Sequence, residues 1–219
     1  MLKYPCLVLD HDDTVVQTER TIGYPYFRDY IQRIRPGMTL SFAQYVQDCN
    51  NAIFADMCRQ RWNFTEEELL EEYTGWKAYS RIHIPLACEG MDRVIRRQKE
   101  EGGLICVVSL STREIIERDY LHHFGILPDA IYDNDLPAPL RKPNPYPLQA
   151  LMRRFALGPE DLLVVDDMLL GHTMASPLGI HTACAAWSKG DFPELQREME
   201  KDFTYTFHST KELEDFLFE

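Results

Sequence analysis

The sequence predicts an α/β protein: a doubly wound parallel sheet, interrupted near its start by an α-helical insert. Apolar runs of strand length occur at residues 6–9, 104–108 and 162–165, a further strand-length stretch lies at 181–186, and stretches with helical spacing separate the later ones. Runs that are apolar throughout are typical of strands buried on both faces of a parallel sheet. Strands that alternate with helices need right-handed crossovers, which cover both faces of the sheet. Residues 16–84 show no strand pattern, so the insert is expected there.

Outside the insert, each element is predicted from its own periodicity and its terminating residues. Cys6–Leu9 begins the sheet as a short strand of small and branched apolar residues. A helix over 91–101 ends at Gly102 and Gly103, and the second strand starts at Leu104. The remaining predicted elements are, in chain order, a helix over 115–124, a short strand at 130–132, a helix at 146–155, a strand at 162–165, a short helix ending at Gly179, a strand at 181–186 and a C-terminal helix from about Thr210.

The insert has its apolar residues at helical rather than strand spacing. Thr65 is a candidate N-cap, and Glu68 three residues later completes a capping box for the helix that follows. We therefore predict two domains, an α/β core at 1–15 and 85–219 and a helical insert at 16–84. The other apolar positions at helical spacing are Tyr26, Phe27, Tyr30, Ile31 and Ile34, then Phe42, Tyr45, Val46, Ile53, Phe54 and Met57.

Length and composition exclude several classes of protein. A chain of 219 residues suits one medium domain with an insert and can bury a sizeable core. The net charge of −12 argues against nucleic acid as a partner, because phosphate contacts need a basic surface. No apolar run approaches the ~20 residues that span a bilayer, and the early first strand leaves no room for a signal peptide. The six cysteines include no C-x-x-C pair, so we expect a cytoplasmic protein without membrane association.

Polar residues cluster where the predicted strands end. Carboxyl ends of neighbouring parallel strands open onto one crevice, which is where ligands bind in such sheets. A lysine just before the 146–155 helix is expected to reach the same crevice. These residues are Asp10, Asp12, Asp13 and Thr14 after strand one, Ser109, Ser111 and Thr112 after strand two, Lys142 before the helix, and Asp166 and Asp167 after strand four.

This inventory suits phosphoryl transfer to a carboxylate. Asp10 would attack phosphorus and form an aspartyl-phosphate. Magnesium prefers oxygen ligands and would lie between Asp10, Asp167 and the phosphate. Ser109 and Lys142 would hold the phosphoryl oxygens as charge moves among them. Asp12 would protonate the leaving alkoxide and then take a proton from the hydrolytic water.

Each residue taken singly also has a purely structural interpretation. Ser109 and its neighbours would cap the next helix, Lys142 would be a solvated loop lysine, and one of Asp166 and Asp167 would cap a helix. The joint order of the clusters along one alternating α/β pattern favours the catalytic interpretation. The scattered histidines are not interpreted as metal ligands; they are His11, His172 and His181.

In this order, the clusters resemble the motifs of the haloacid-dehalogenase-like hydrolase superfamily. Asp10–Thr14 is similar to the first motif, D-x-D-G-T, and Val107–Ser109 to the second, an apolar strand ending in Ser or Thr. Lys142–Pro145 resembles the third, K-P-x-P. Val164–Asp167, with the later Gly171, resembles the paired-acid form of the fourth. The helical stretch after the first motif matches the cap position of the subgroup that includes phosphoglycolate phosphatase and β-phosphoglucomutase.

The resemblance implies a Rossmann-like core and a role for each residue. It implies that Asp10 is the nucleophile and Asp12 the general acid/base. Asp13 and Thr14 complete the first motif. The implied phosphate-binding residues are Ser109, Leu110 and Lys142, and the implied ligands of Mg²⁺ are Asp10, the carbonyl of Asp12, Asp167 and, directly or through water, Asp166.

Two positions depart from the family pattern. Asp13 stands where the first motif has glycine, which puts a side chain and a charge at a tight turn. Repulsion from this carboxylate would raise the pKa of its acidic neighbours. Met168 replaces the small polar residue that is common after the paired acids. Neither change removes a reacting group, so activity is still expected.

The leading hypothesis is a magnesium-dependent phosphatase acting on a small phosphorylated metabolite. A phosphomutase using the same aspartyl-phosphate is the nearest alternative. A phosphorylatable receiver is disfavoured by the D-x-D motif and the long insert, and a non-catalytic phosphate-binding protein is a further alternative. The oligomeric state has no sequence signal. Specificity is expected to lie in the insert, whose candidate cations are Arg20, Arg28, Arg33, Arg35 and Lys77.

Overall fold

A computed structural model describes residues 2–51 and 54–219, and the chain divides into two compact units. The sheet unit comprises Met1–Val16 and Ala87–Glu219, and the helical unit comprises Gln17–Leu86. The assignment of the two units as catalytic core and cap stays a prediction.

The sheet unit contains parallel strands in the order β3-β2-β1-β4-β5-β6, which confirms the predicted doubly wound sheet. The first strand lies between the second and the fourth, at the point where the strand order reverses. Ligands bind at such a point in open α/β sheets. The strands are β1 Cys6–Leu9, β2 Leu104–Val108, β3 Ala130–Tyr132, β4 Leu162–Asp166, β5 His181–Ala185 and β6 Tyr205–Phe207.

The α-helices follow the predicted alternation. Those of the helical unit are α1 Tyr24–Ile34, α2 Phe42–Asn51, α3 Phe54–Trp62 and α4 Glu66–Ile82. Those of the sheet unit are α5 Met91–Glu100, α6 Arg113–Phe124, α7 Tyr146–Phe155, α8 Leu169–Ala175, α9 Pro193–Glu200 and α10 Thr210–Phe218.

Two elements of the structure, α9 and β6, are absent from the sequence-based prediction. The three residues of β6 are too few to display a strand period. The α9 sequence contains only two large apolar residues, Leu195 and Met199, so its helical period is equally weak. The β6 strand lies at one edge of the sheet, where tertiary packing rather than pattern decides the structure.

Both faces of the sheet are buried, as the uninterrupted apolar runs predict. Leu7 and Leu9 pack on one face in a cluster that includes Ile95 and Tyr120. Val8 points to the other face and packs with a cluster that includes Leu148. Residues that follow each other along β1 therefore enter different cores, and β1 is held in place from both sides.

Aromatic packing and a capping box organise the helical unit. Phe27 is buried against the rings of Tyr45, Phe54 and Trp62. The capping box at the start of α4 is present as predicted: the Thr65 side chain accepts from the Glu68 N–H, and the Glu68 carboxylate accepts from the Thr65 N–H. The predicted helical position Ile53 lies outside the described residues.

The cations that the sequence offered for substrate binding have partners within the helical unit. Arg33 pairs with Glu71 at 2.8 Å, and the Arg35 guanidinium donates to both carboxylate oxygens of Glu68. The others contact a carboxylate or an aromatic ring: Arg28 with Asp29, Arg20 with Phe42 and Lys77 with Tyr73.

None of the helices in residues 2–51 and 54–219 combines the length and apolar character needed to cross a membrane.

Glu72 of α4 is a buried acid in the helical unit, with 5% of its surface exposed. Burial raises the pKa of its carboxyl from 4.5 to about 7, because the charged form is poorly solvated there. Below pH 4.5 the carboxyl is neutral in both the folded and the unfolded chain. As the pH rises from there to 7, the unfolded state ionises more readily than the folded state, so the free energy of unfolding falls.

We expect Glu72→Gln to stabilise the protein more at pH 8 than at pH 5. The amide removes a cost on the order of 2–3 kcal/mol that burial of the ionisable carboxyl imposes at the higher pH. Urea unfolding at both pH values measures the difference. Glu67→Gln, an exposed position on the same helix, is the matched control and should show little pH dependence. An equal effect of Glu72→Gln at both pH values would contradict the raised pKa.

Candidate active site

The register of the parallel strands aligns the ends that carry the predicted site residues. Leu9 pairs with Val107 on one side and with Val165 on the other. Asp10, the next residue, extends this alignment, since its N–H donates to the Val165 carbonyl at 2.9 Å. The carboxyl ends of β1, β2 and β4 therefore lie side by side, as the sequence predicts.

Lys142 lies between two of the carboxylates. Its Nζ is 3.0 Å from Asp10 Oδ1 and 2.5 Å from Asp166 Oδ2. All three side chains are at most 7% exposed. A buried ammonium paired with two carboxylates is unlike the solvated loop lysine of the structural interpretation. The structure therefore brings Lys142 to the end of β1 from a position 132 residues away in the chain.

The pKa values of Asp10, Asp166 and Lys142 are all raised, but for different reasons. Burial, followed by the neighbouring carboxylates of Asp166, Asp167 and Asp12, raises the pKa of Asp10, and Lys142 offsets part of this. Burial also raises the pKa of Asp166 to about 6 against the opposing effect of Lys142. Burial disfavours the charge on Lys142, but Asp10 and Asp166 outweigh it and raise the pKa of the lysine. Lys142 thus remains an ammonium.

Asp12 is oriented by a hydroxyl from the end of β2. Ser111 Oγ donates to Asp12 Oδ2 at 2.7 Å, and the Ser111 N–H donates to Ser109 Oγ at 3.2 Å. The N-cap of α6 is Thr112, whose side chain makes no capping bond. The capping interpretation of these residues is therefore not what the structure shows. Ser109 is buried, and Leu110 is 45% exposed.

Asp166 and Asp167 contact different partners. Asp166 Oδ1 accepts from the Met168 N–H at 2.9 Å, at the start of α8, while its Oδ2 contacts Lys142. Asp166 thus binds a backbone N–H at a helix start and also belongs to the buried cluster. Asp167 Oδ2 instead lies 2.9 Å from the Nζ of Lys189.

Three buried carboxylates fit a divalent cation. Asp10, Asp166 and Asp167 each offer an oxygen, and these atoms lie within 4.8 Å of one another. Mg²⁺ prefers oxygen ligands and is usually held by one or two carboxylates plus water and phosphate oxygens. The donor set is therefore chemically suited to Mg²⁺. The Asp12 carboxylate is not among these three.

Lys189 and Ser111 belong to the site, although sequence reasoning gave Lys189 no role and assigned Ser111 no catalytic role. Lys189 is buried at the end of a 3₁₀ turn, Ala186–Lys189, that follows β5. The rule that the carboxyl ends of parallel strands meet at one edge could have found it, since it lies just after a predicted strand. Ser111 carried a comparable signal, two residues after Ser109.

A family model and several solved structures match this chain. The model of haloacid dehalogenase-like hydrolases matches residues 4–179, which is most of the sequence. The chain belongs to the haloacid dehalogenase-like hydrolase family. No curated protein matches the sequence.

The similar solved structures share the fold at low sequence identity. One, named as a predicted phosphoglycolate phosphatase from Haemophilus somnus, is 16% identical with a TM-score of 0.73, over 99% of this chain and 99% of that chain. CbbY from Rhodobacter sphaeroides in complex with phosphate is 17% identical with a TM-score of 0.70, over 97% and 96%. A HAD-superfamily hydrolase from Geobacter sulfurreducens is 12% identical with a TM-score of 0.71, over 99% and 97%.

Position 171 requires glycine because its backbone lies too close to the Asp166 side chain to leave room for a Cβ. A Cβ at this position would lie 2.3 Å from Asp166 Oδ2 and 2.5 Å from Asp166 Cβ. Alanine is the better helix former by about 1 kcal/mol, so an open site in α8 would gain stability from the substitution. Here the added methyl group would displace the carboxylate that Lys142 contacts.

We expect Gly171→Ala to lower the free energy of unfolding by about 1–3 kcal/mol, the usual cost of overpacking. Thermal unfolding measures the loss, and a crystal structure of the variant would show a moved Asp166. Gly190→Ala is the matched control, because its nearest neighbouring atom is 4.0 Å away and its backbone is helical. A Gly171→Ala variant as stable as the wild type would show that the contact is not tight.

Proposed function

We propose that this hydrolase is a magnesium-dependent phosphatase that acts on a small phosphorylated metabolite through an aspartyl-phosphate at Asp10. The observation that carries the proposal is the buried Lys142 ammonium lying between the carboxylates of Asp10 and Asp166. A carboxylate at the end of a central strand, with a cation beside it and further acids near it, is suited to attack on an anionic phosphoryl group.

In the first half-reaction, a carboxylate oxygen of Asp10 forms a bond to phosphorus as the ester P–O bond breaks. Asp12 donates its proton to the leaving oxygen, which departs as an alcohol. The Ser111 hydroxyl holds the Asp12 carboxyl in one orientation for this transfer. Lys142 and the residues at the end of β2, Ser109 and Leu110, would bind the phosphoryl oxygens.

In the second half-reaction, Asp12 takes a proton from water, and the resulting hydroxide attacks the phosphorus of the aspartyl-phosphate. The bond between phosphorus and Asp10 breaks, which releases inorganic phosphate and regenerates both carboxyl groups. Proton donor and proton acceptor are thus the same residue at successive stages.

The magnesium ligands in this proposal are Asp10, Asp167 and the Asp12 carbonyl, with Asp166 directly or through water. The buried donor oxygens of Asp10, Asp166 and Asp167 support this choice. A bound Mg²⁺ would offset the repulsion between the nucleophile and the anionic substrate.

The phosphorylated substrate class is supported by the family and by two solved structures of one similar protein. CbbY from Rhodobacter sphaeroides was solved with xylulose-1,5-bisphosphate as well as with phosphate. For this chain we propose a small phosphorylated metabolite without naming it. The proposal includes a cytoplasmic location, where the six free thiols would stay reduced.

We expect Asp10→Asn to abolish phosphatase turnover while leaving the fold intact, because an amide does not attack phosphorus at a useful rate. The measurement is Mg²⁺-supported hydrolysis across a panel of sugar phosphates, phosphoglycolate and nucleoside monophosphates. Asp92→Asn, an exposed acid on α5, is the matched control and should keep full activity. Near-normal turnover by a folded Asp10→Asn variant, or full wild-type activity in excess chelator, would refute the mechanism.

We expect Asp12→Asn to slow formation of the phosphoenzyme far more with an alkyl phosphate than with p-nitrophenyl phosphate. An alkoxide needs a proton as it leaves, and positioned acid catalysis contributes roughly 10²–10⁴-fold, whereas nitrophenolate leaves without help. Because hydrolysis of the intermediate also needs Asp12, the activated substrate should give a burst of nitrophenol. Rapid-mixing single-turnover kinetics measures both effects. Ser111→Ala, which removes only the orienting hydroxyl, should show the same pattern in milder form. Equal losses for both substrates and no burst would mean that Asp12 does not move the proton.

A further inference from the structure

Asp13 occupies a costly position. Its φ of 55° lies in the left-handed region, which disfavours residues other than glycine, although aspartate is among the better tolerated. The residue is also largely buried, with 12% of its side chain exposed. A buried carboxylate needs a compensating partner, since an unpaired buried charge is strongly unfavourable.

A buried cation, Lys189, lies close to Asp13. Its Nζ is 3.8 Å from Asp13 Oδ2 and 2.9 Å from Asp167 Oδ2, and its side chain is 5% exposed. The 3₁₀ turn that contains Lys189, Ala186–Lys189, also contacts the loop after β1, because Trp187 Nε1 donates to the Thr14 carbonyl at 3.2 Å. Lys189 is therefore held beside Asp13 and Asp167 by the fold.

The charges of Lys189 and Asp13 cancel within the site. The site contains five carboxylates, those of Asp10, Asp12, Asp13, Asp166 and Asp167. Together with the ammonium groups of Lys142 and Lys189, they give a formal charge of −3. Without both Asp13 and Lys189, the formal charge would again be −3. Removing Asp13 alone makes the formal charge of the site one unit more positive, and removing Lys189 alone makes it one unit more negative.

We propose that Asp13 and Lys189 are a matched pair of positioning residues that sets the affinity of the carboxylate site for its divalent cation. The inference rests on the proposed function, which places the cation against Asp10 and Asp167. Lys189 contacts an oxygen of Asp167, so its ammonium repels the cation and competes with it for that carboxylate. Asp13 offsets this repulsion and gives Lys189 a second carboxylate to contact.

The test measures binding of Mn²⁺ alone to the full chain by electron paramagnetic resonance, at fixed pH and ionic strength. Asp13→Asn should weaken binding roughly tenfold, and Lys189→Met should tighten it roughly tenfold, the order expected when one unit charge near a divalent cation is removed from a polar site. The double variant should return to within about threefold of the wild-type Kd. Lys201→Met, an exposed lysine of the same unit, changes the net charge equally and should leave the Kd unchanged.

Opposite shifts that cancel in the double variant are not expected of residues that only stabilise the loop. If Lys189→Met does not fold, as judged by circular dichroism, Asp13→Asn and the double variant still decide the question. Unchanged affinity in Asp13→Asn, or weaker binding in both the single variants, would overturn the inference alone. No Mn²⁺ binding by the wild type, or binding unaffected by Asp10→Asn, would instead refute the proposed metal site, and the inference would fall with it.

Discussion

Compensation of buried negative charge is the constraint on which the site depends. Asp10, Asp166 and Asp167 offer oxygens within 4.8 Å of one another and are almost fully buried. Taking a charge out of water costs several kcal/mol per ion even after relaxation, and carboxylates at this separation repel one another. Lys142 contacts two of these acids and Lys189 contacts the third. The two lysines come from distant parts of the chain, so the folded structure is needed to assemble the cluster.

The parallel sheet places the acids, and a glycine makes room for one of them. Leu9 lies between Val107 and Val165, so the ends of three strands open at one edge. The candidate nucleophile lies at the end of β1, the serine hydroxyls lie after β2, and the paired acids lie at the end of β4. Gly171 allows α8 to approach Asp166 closely. The Asp166 carboxylate accepts a hydrogen bond from the Met168 N–H and also contacts Lys142. One carboxylate thus joins the helix start to the buried cluster.

The helical unit illustrates why a surface charge in a sequence is weak support for a ligand contact. Arg33 and Arg35 looked available for an anionic substrate, but both pair with acids of α4. The Arg33–Glu71 pair is exposed, and exposed pairs contribute little to stability, typically 0.2–1 kcal/mol, whereas the Arg35–Glu68 pair is bidentate and half-buried. The unit is held instead by aromatic packing around the buried Phe27. Residues of this unit that would select a substrate are therefore not identified by charge alone.

The sequence by itself determined the doubly wound sheet, the helical character of the insert, the capping box at Thr65 and the motifs that resemble the hydrolase family. These features follow from short-range periodicity and from residue types at fixed spacings, which a single chain displays directly. It did not reveal β6 or α9, because elements with so few apolar residues have no readable period. The roles of Asp10, Asp12, Ser109, Leu110 and Lys142 remain predictions. Only the tertiary structure decided that Ser111 orients Asp12, that Asp166 contacts Lys142, and that Lys189 lies beside Asp13 and Asp167. Contacts between residues far apart in the chain depend on strand order and register, which local sequence patterns do not encode.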